Sequence, residues 1–164
     1  MRRPVPVPPG PGQESVWDYP RPPAVVPSDR HVVVELAGVV VADTRRAVRV
    51  LETSHPPGWY VPADDCDLAR FEQAPGRSFC EWKGVARYWT VRVDGAVADR
   101  AAWSYPDPTP AFAAIAGHLA FYPSVFRCTV DGELALPQEG GFYGGWITAD
   151  VVGPCKGPAG TEWW

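Results

Sequence analysis

Nine of the twenty prolines stand within the first 27 residues, and that clustering limits the start of the chain more than any other feature does. A proline ring fixes φ and removes a backbone donor, so no helix interior runs through such a stretch. Pro4 to Pro27 is therefore expected as an extended, polyproline-like arm. Within it, Glu14-Ser15-Val16-Trp17-Asp18-Tyr19-Pro20-Arg21-Pro22 sets two large aromatics among rigid residues. A disposable arm has no need of them, so Trp17 and Tyr19 are expected to dock on the rest of the protein.

From His31 the pattern changes to β-branched runs. His31–Leu36 and Val39–Asp43 flank Ala37-Gly38 as a hairpin, and Ala47–Glu52 follows as a third strand. Thr53-Ser54-His55-Pro56-Pro57-Gly58 breaks structure before a short extended piece at Trp59-Tyr60-Val61, and Asp64–Leu68 suits one helical turn. Ser78–Trp82 reads as a short strand and Val85–Val93 as a longer, alternating one. Asp94-Gly95 turns the chain into Ala96–Tyr105, and Val130-Asp131-Gly132-Glu133 marks a further hairpin. The one convincing helix is Thr109–Gly117, with Pro110 in its first turn and Gly117 at its end. The fold class is mainly β, α+β at most, with a mostly antiparallel sheet. The organisation expected is an arm over residues 1–30, a β core over 31–136, and a Gly- and aromatic-rich segment over 137–164 packed on that core.

Charge and cysteine usage exclude several classes. Nineteen acids against fifteen bases give a net charge of −4, and Lys83 and Lys156 are the only lysines. Nucleic acid and anionic membrane surfaces are poor partners for such a chain. The longest apolar run, Ala111–Ala116, is far short of the ~20 residues a span requires, and the N-terminus alternates proline where a signal peptide has an apolar helix. A cytoplasmic location is expected. Cys66, Cys80, Cys128 and Cys155 lie 14, 48 and 27 positions apart, so no CxxC pair exists to grip zinc, and neither a metal nor a cofactor is expected. Gly153-Pro154-Cys155-Lys156-Gly157 has the wrong order for a phosphate-binding loop, and no GxSxG, GxGxxG or HExxH occurs.

Three stretches together resemble the Domain of Unknown Function 427 family. They are Ala42-Asp43-Thr44 leading to Leu51-Glu52-Thr53; Cys80-Glu81-Trp82-Lys83-Gly84; and Trp103-Ser104-Tyr105-Pro106 with Ala120-Phe121-Tyr122-Pro123. Pro57, Tyr60, Pro62 and Tyr88 stand in the expected places between them. The arm Glu14–Pro22 and the tail motifs Phe142–Trp146 and Gly153–Gly157 look like those of longer members. The resemblance implies a β fold related to the β-tent shared by methionine sulfoxide reductase B and the thalidomide-binding domain of cereblon, and it implies no established activity. Those relatives usually hold a structural zinc through two CxxC pairs, and this sequence has neither.

Asp43, Glu52, Tyr60, Lys83, Tyr88, Trp103, Tyr105 and Tyr122 form the candidate constellation, most of them at strand ends or beside breaks where side chains converge on a pocket. A lysine in such a pocket either fixes an anionic group or loses its proton and acts as a base, with Glu52 as its complement. The structural alternative is a Glu52–Lys83 salt bridge bracing the sheet. Cys80 stands three before Lys83 and is a conceivable nucleophile beside a cation, but strand residues three apart point to opposite faces, which favours a buried apolar thiol. His55 is expected as a loop residue near the surface. The aromatic residues Trp59-Tyr60, Trp103, Tyr105 and Tyr143, bounded by Pro or Gly, suit a cage for a cationic or planar ligand. Two functions follow from different classes: a small-molecule-binding domain, with or without turnover, or an interaction module whose arm or aromatic surface docks another protein or a second copy of the chain.

Overall fold

Alternation in Val32–Leu36, where Val32, Val34 and Leu36 are buried between half-exposed neighbours, marks a strand with one face on a core. The computed structural model describes residues 3–164. That strand lies in a four-stranded antiparallel sheet ordered Glu133–Leu134, Arg127–Val130, Val32–Leu36, Val39–Thr44. A second sheet runs Ala120–Phe121, Ala96–Ser104, Gly84–Val93, Phe71–Cys80, again antiparallel throughout. Neither sheet closes on itself, and the protein is mainly β.

Two of the hairpin turns show why their sequences were legible. Ala37-Gly38 has φ of 48° and 79°, and Asp131-Gly132 has 49° and 81°. A two-residue turn with both centres at positive φ matches the right-handed twist of the strands it joins. Between the two sheets Val34, Val41, Val91, Ala102, Phe121 and Cys128 share one core with Trp59 and Trp146. The two indoles lie 5.9 Å apart, and truncating either to Ala would cost about 3–5 kcal/mol. Trp59 is thus a core residue rather than a wall of any cleft.

The N-terminal stretch is more ordered than a polyproline arm. Ala24–Pro27 pairs antiparallel with Val48–Leu51, which pairs in turn with Gly58–Tyr60. Glu14–Ser15 pairs in parallel with Val151–Val152, and Val16–Asp18 forms a 3₁₀ turn. Tyr19 is buried with Val16, Leu51 and Val151, and Trp17 Nε1 donates to the Pro154 carbonyl at 2.9 Å.

Two elements depart from expectation. The strand expected at Ser78–Trp82 is ten residues long, Phe71–Cys80, and Trp82 lies in the turn after it. Its register shifts between Gln73 and Arg77, so Pro75-Gly76 sits in a bulge on an edge strand, where proline is tolerated. The helical stretch at Pro110–Ile115 is 3₁₀, with a break at Phe112. In that geometry residues three apart eclipse, which buries Phe112 and Ile115 together. Among the described residues, no helix is long and apolar enough to cross a membrane.

Candidate functional site

The second sheet has two unlike faces. In antiparallel pairing, residues directly opposite share a face. Tyr88 is opposite Trp103, Trp103 is opposite Ala120, and Ser78 is opposite Ala86. Alternation then puts Ser78, Ala86, Tyr88, Trp103 and Tyr122 on the side away from the main core, while Trp89, Ala102 and Phe121 face it. The outer face floors a cavity of about 290 Å³. Its far wall is Val50 and Tyr60 of the three-stranded sheet, and the tail covers it with Gln138 and Phe142–Gly145.

Lys83 enters from the three-residue turn Glu81-Trp82-Lys83 that joins Cys80 to Gly84. Gly84 closes the turn at φ 102°, a conformation that favours glycine. Thr109 fixes the turn from outside: its hydroxyl donates to the Trp82 carbonyl at 2.6 Å and its backbone N–H to that of Lys83 at 3.1 Å. The ammonium thereby reaches 5.6 Å from the centroid of the Tyr105 ring. Burial works against the charged form, but Tyr60, Cys80 and Glu52 together outweigh it, and the Lys83 pKa lies above the ordinary lysine value. As an ammonium, Lys83 can hold an anion.

Burial also raises the phenols, Tyr105 well above its ordinary range and Tyr122 to about 12, so both remain protonated donors. The Tyr122 hydroxyl donates to the Phe142 carbonyl at 3.1 Å, and the hydroxyls of Tyr88 and Ser78 are 2.7 Å apart.

At the other end stand Glu52, His55 and Lys156. Glu52 lies 3.5 Å from Arg21 Nε and 3.8 Å from His55 Nδ1. Burial pulls the His55 pKa below its ordinary value against the opposing effect of Glu52 and the Thr53 carbonyl. Nδ1 is 3.0 Å from that carbonyl, which can only accept, so Nδ1 carries the proton and Nε2 is left as the acceptor. Lys156 Nζ lies 5.5 Å from the centroid of the Tyr143 ring and donates weakly to the Trp164 carbonyl at 3.4 Å. The arrangement can bind an anion, donate hydrogen bonds from phenols and take a proton at an imidazole.

Glu52, Tyr60, Cys80 and Lys83 border the cavity, as do Tyr88, Trp103, Tyr105 and Tyr122. Asp43 does not. It projects outward between buried Ala42 and Thr44 and pairs with His31 Nε2 at 2.8 Å. Among the described residues Glu52 and Lys83 are not an ion pair, since Glu52 faces Arg21 and His55 instead. Cys80 is half-buried and borders the cavity, and the tight turn brings Lys83 back beside its thiol, which simple strand alternation did not anticipate.

His55, Lys156 and Tyr143 complete the wall. His55 is no surface residue: its side chain is 12% exposed, because arm and tail clamp its loop. Thr53 N–H donates to the Pro20 carbonyl at 3.2 Å, Ser54 N–H to that of Val16 at 3.0 Å, and Lys156 N–H to that of Ser54 at 2.8 Å. The sequence signal available was the pair of rare lysines, both of which come to this one cavity. Its glycines reflect close approach: a Cβ on Gly144 would stand 2.1 Å from Trp103 Cη2.

Among the described residues no group of three His, Cys, Asp or Glu side chains is placed to hold a metal, and Cys80, Cys128 and Cys155 fall in separate apolar clusters.

No curated protein matches the chain. The family model described as Domain of unknown function (DUF427) matches residues 24–134. That segment supplies the floor, Lys83 and Glu52, whereas Tyr143 and Lys156 lie beyond it. With some two-thirds of its length matched, the chain belongs to the Domain of Unknown Function 427 family.

Proposed function

We propose that the cavity binds a small molecule, with flat aromatic walls for its body and Lys83 and the Glu52–His55 end as polar poles. The observation that carries this reading is convergence: five of the six tyrosines and both lysines border one cavity. Core packing does not gather phenols and ammonium groups at a single opening, whereas a ligand site combines apolar walls with a few placed polar groups. Buried Ser54, beside His55, supports it further. Its φ is 72° and its hydroxyl has no partner, and strain of this kind accumulates at functional sites. Four unpaired thiols fit a reducing compartment, so a cytoplasmic location accompanies the reading.

Native mass spectrometry of the purified protein, before and after exposure to a metabolite extract, tests it. An adduct that is released on denaturation and lost in folded Lys83→Met is the expected result. A Lys83→Met and Glu52→Gln double variant that stays folded and retains every adduct would overturn the assignment.

A second reading has one observation in its favour. Phe79 and Phe142 border the cavity yet are 75% and 69% exposed, which suits contact with a second copy of the chain or another protein. Sedimentation of the native protein and of Phe79→Ser across a hundredfold concentration range separates the two. A concentration-dependent dimer abolished by Phe79→Ser supports the interaction reading, and a monomer throughout removes self-association.

A further inference from the structure

We propose that the ligand is a planar aromatic anion, its carboxylate or phosphate held by Lys83 and its ring set among Trp82, Trp103 and the tyrosines. The inference rests on the small-molecule reading of the cavity and adds the charge and shape of the occupant.

The first argument is the distribution of cations. Every basic side chain other than Lys83 and Lys156 is arginine or histidine, and no arginine borders the cavity. Elsewhere seven arginines are matched with acids, among them Arg30 with Asp131 and Asp150, Arg46 with Asp65, Arg49 with Glu14 and Arg127 with Glu35, and the described arginines without such a partner, Arg3, Arg45, Arg77, Arg87 and Arg100, are exposed or half-exposed away from the cavity. Among the described residues neither lysine has an Asp or Glu carboxylate within 4 Å, and the one oxygen given to Lys156 is that of Trp164 at 3.4 Å. An ammonium without a carboxylate beside it keeps N–H donors available for an incoming anion. A compact ammonium is also well suited to either a carboxylate or a phosphate oxygen.

The second argument concerns the acids at the same cavity. Glu52 already faces Arg21 and His55, and Glu81 is exposed at the tip of its turn. Glu52 is thus already engaged, and among the described residues neither acid is within 4 Å of a lysine ammonium.

Third, the aromatic faces are committed. Lys83 lies over Tyr105 and Lys156 over Tyr143. A cage for a cationic ligand needs empty ring faces, and here the protein's own ammonium groups occupy them and would repel a second cation. What is left for the ligand is the uncovered surface of Trp82 and Trp103, both half-buried at the cavity, and the hydroxyls of Tyr60 and Tyr105, since those of Tyr88 and Tyr122 are already in hydrogen bonds.

The test uses the full chain and four probes of similar size: benzoate, phenyl phosphate, neutral benzamide and cationic benzylamine, with inorganic phosphate alone as a fifth. Binding is followed by calorimetry and by tryptophan fluorescence. One or both aromatic anions should bind at least tenfold more tightly than benzamide, the size of effect expected for a charge-assisted hydrogen bond. That preference should vanish in Lys83→Met and persist in Lys83→Arg, with unchanged circular dichroism in both. Benzoate and phenyl phosphate distinguish the two anion chemistries, and inorganic phosphate binding as tightly as phenyl phosphate would remove the aromatic half of the proposal. Benzamide or benzylamine binding as tightly as the anions, or an anion preference intact in Lys83→Met, overturns this inference and leaves the small-molecule reading standing. Binding by none of the probes counts against both.

Discussion

Lys83 Nζ sits 5.6 Å from the centroid of the Tyr105 ring, and the two residues belong to different hairpins of the same sheet region, so the contact ties the turn that carries the charge to the floor beneath it. A cation over a partly desolvated ring contributes about 0.5–2 kcal/mol. Tyr105→Leu should therefore lower the melting temperature beyond the effect of Tyr105→Phe, which keeps the ring. Equal melting temperatures for the two variants would show that the ring face contributes nothing.

Stability should depend on pH through His55. Its folded-state pKa is below the unfolded value because burial disfavours the imidazolium. The unfolded chain then binds more protons as pH falls through about 6.5, and stability drops from there down through the folded-state pKa. Chemical denaturation at pH 7.5 and 5.5 should show a smaller loss for His55→Gln than for the native protein. An identical loss would place the acid sensitivity elsewhere.

Gly144→Ala should destabilise without any change in backbone preference. Gly144 is not at positive φ, so the penalty is purely the clash of its Cβ with the Trp103 indole. Overpacking of this kind costs about 1–3 kcal/mol. Thermal unfolding and a shift in tryptophan emission would report it, and a neutral substitution would show that the tail lifts away from Trp103 freely.

Removing residues 1–28 should destabilise the protein rather than trim it. The deletion takes away Ala24–Pro27, bares the edge of Val48–Leu51 and uncovers Leu51. It also removes Arg21, the partner of Glu52. Aggregation or a markedly lower melting temperature is expected from light scattering and calorimetry, and a truncated chain as stable as the native one would contradict it.

Thiol labelling should be graded. Burial raises Cys155 to about 11, Cys66 to about 12 and Cys128 higher still, so iodoacetamide at pH 8 should modify these three slowly, Cys128 least of all. Cys80 borders the cavity, and its labelling should slow when an aromatic anion is bound. Binding that persists after complete Cys80 alkylation would exclude both a nucleophilic role and its position at the ligand.

Hairpins were the legible part of this fold because their signals are local. Ala37-Gly38 and Asp131-Gly132 specify a turn within two residues, and the alternating Val-rich runs beside them specify which face is buried. Phe71–Arg77 hid because Pro75-Gly76 reads as a break, and only an edge position with a bulge accommodates it. The arm hid likewise, since proline in Ala24–Pro27 is compatible with a strand only where one side needs no donor. In the cavity, Tyr60, Lys83, Tyr88, Trp103, Tyr105 and Tyr122 were accessible through family-like motifs and breaks in the pattern. Asp43 shared those motifs but faces solvent, because strand alternation and not proximity to a motif decides direction. His55 and Lys156 had no local signal: arm, loop and tail meet there only through long-range hydrogen bonds.

Side-chain amines in this protein occur at Lys83 and Lys156 and nowhere else. Reagents that acylate amines and spare guanidinium groups will therefore read out the cavity with almost no background from the surface. Immobilising the protein through amine coupling would block or distort the same opening, so a sensor chip prepared that way would report a dead surface for a protein that binds well in solution.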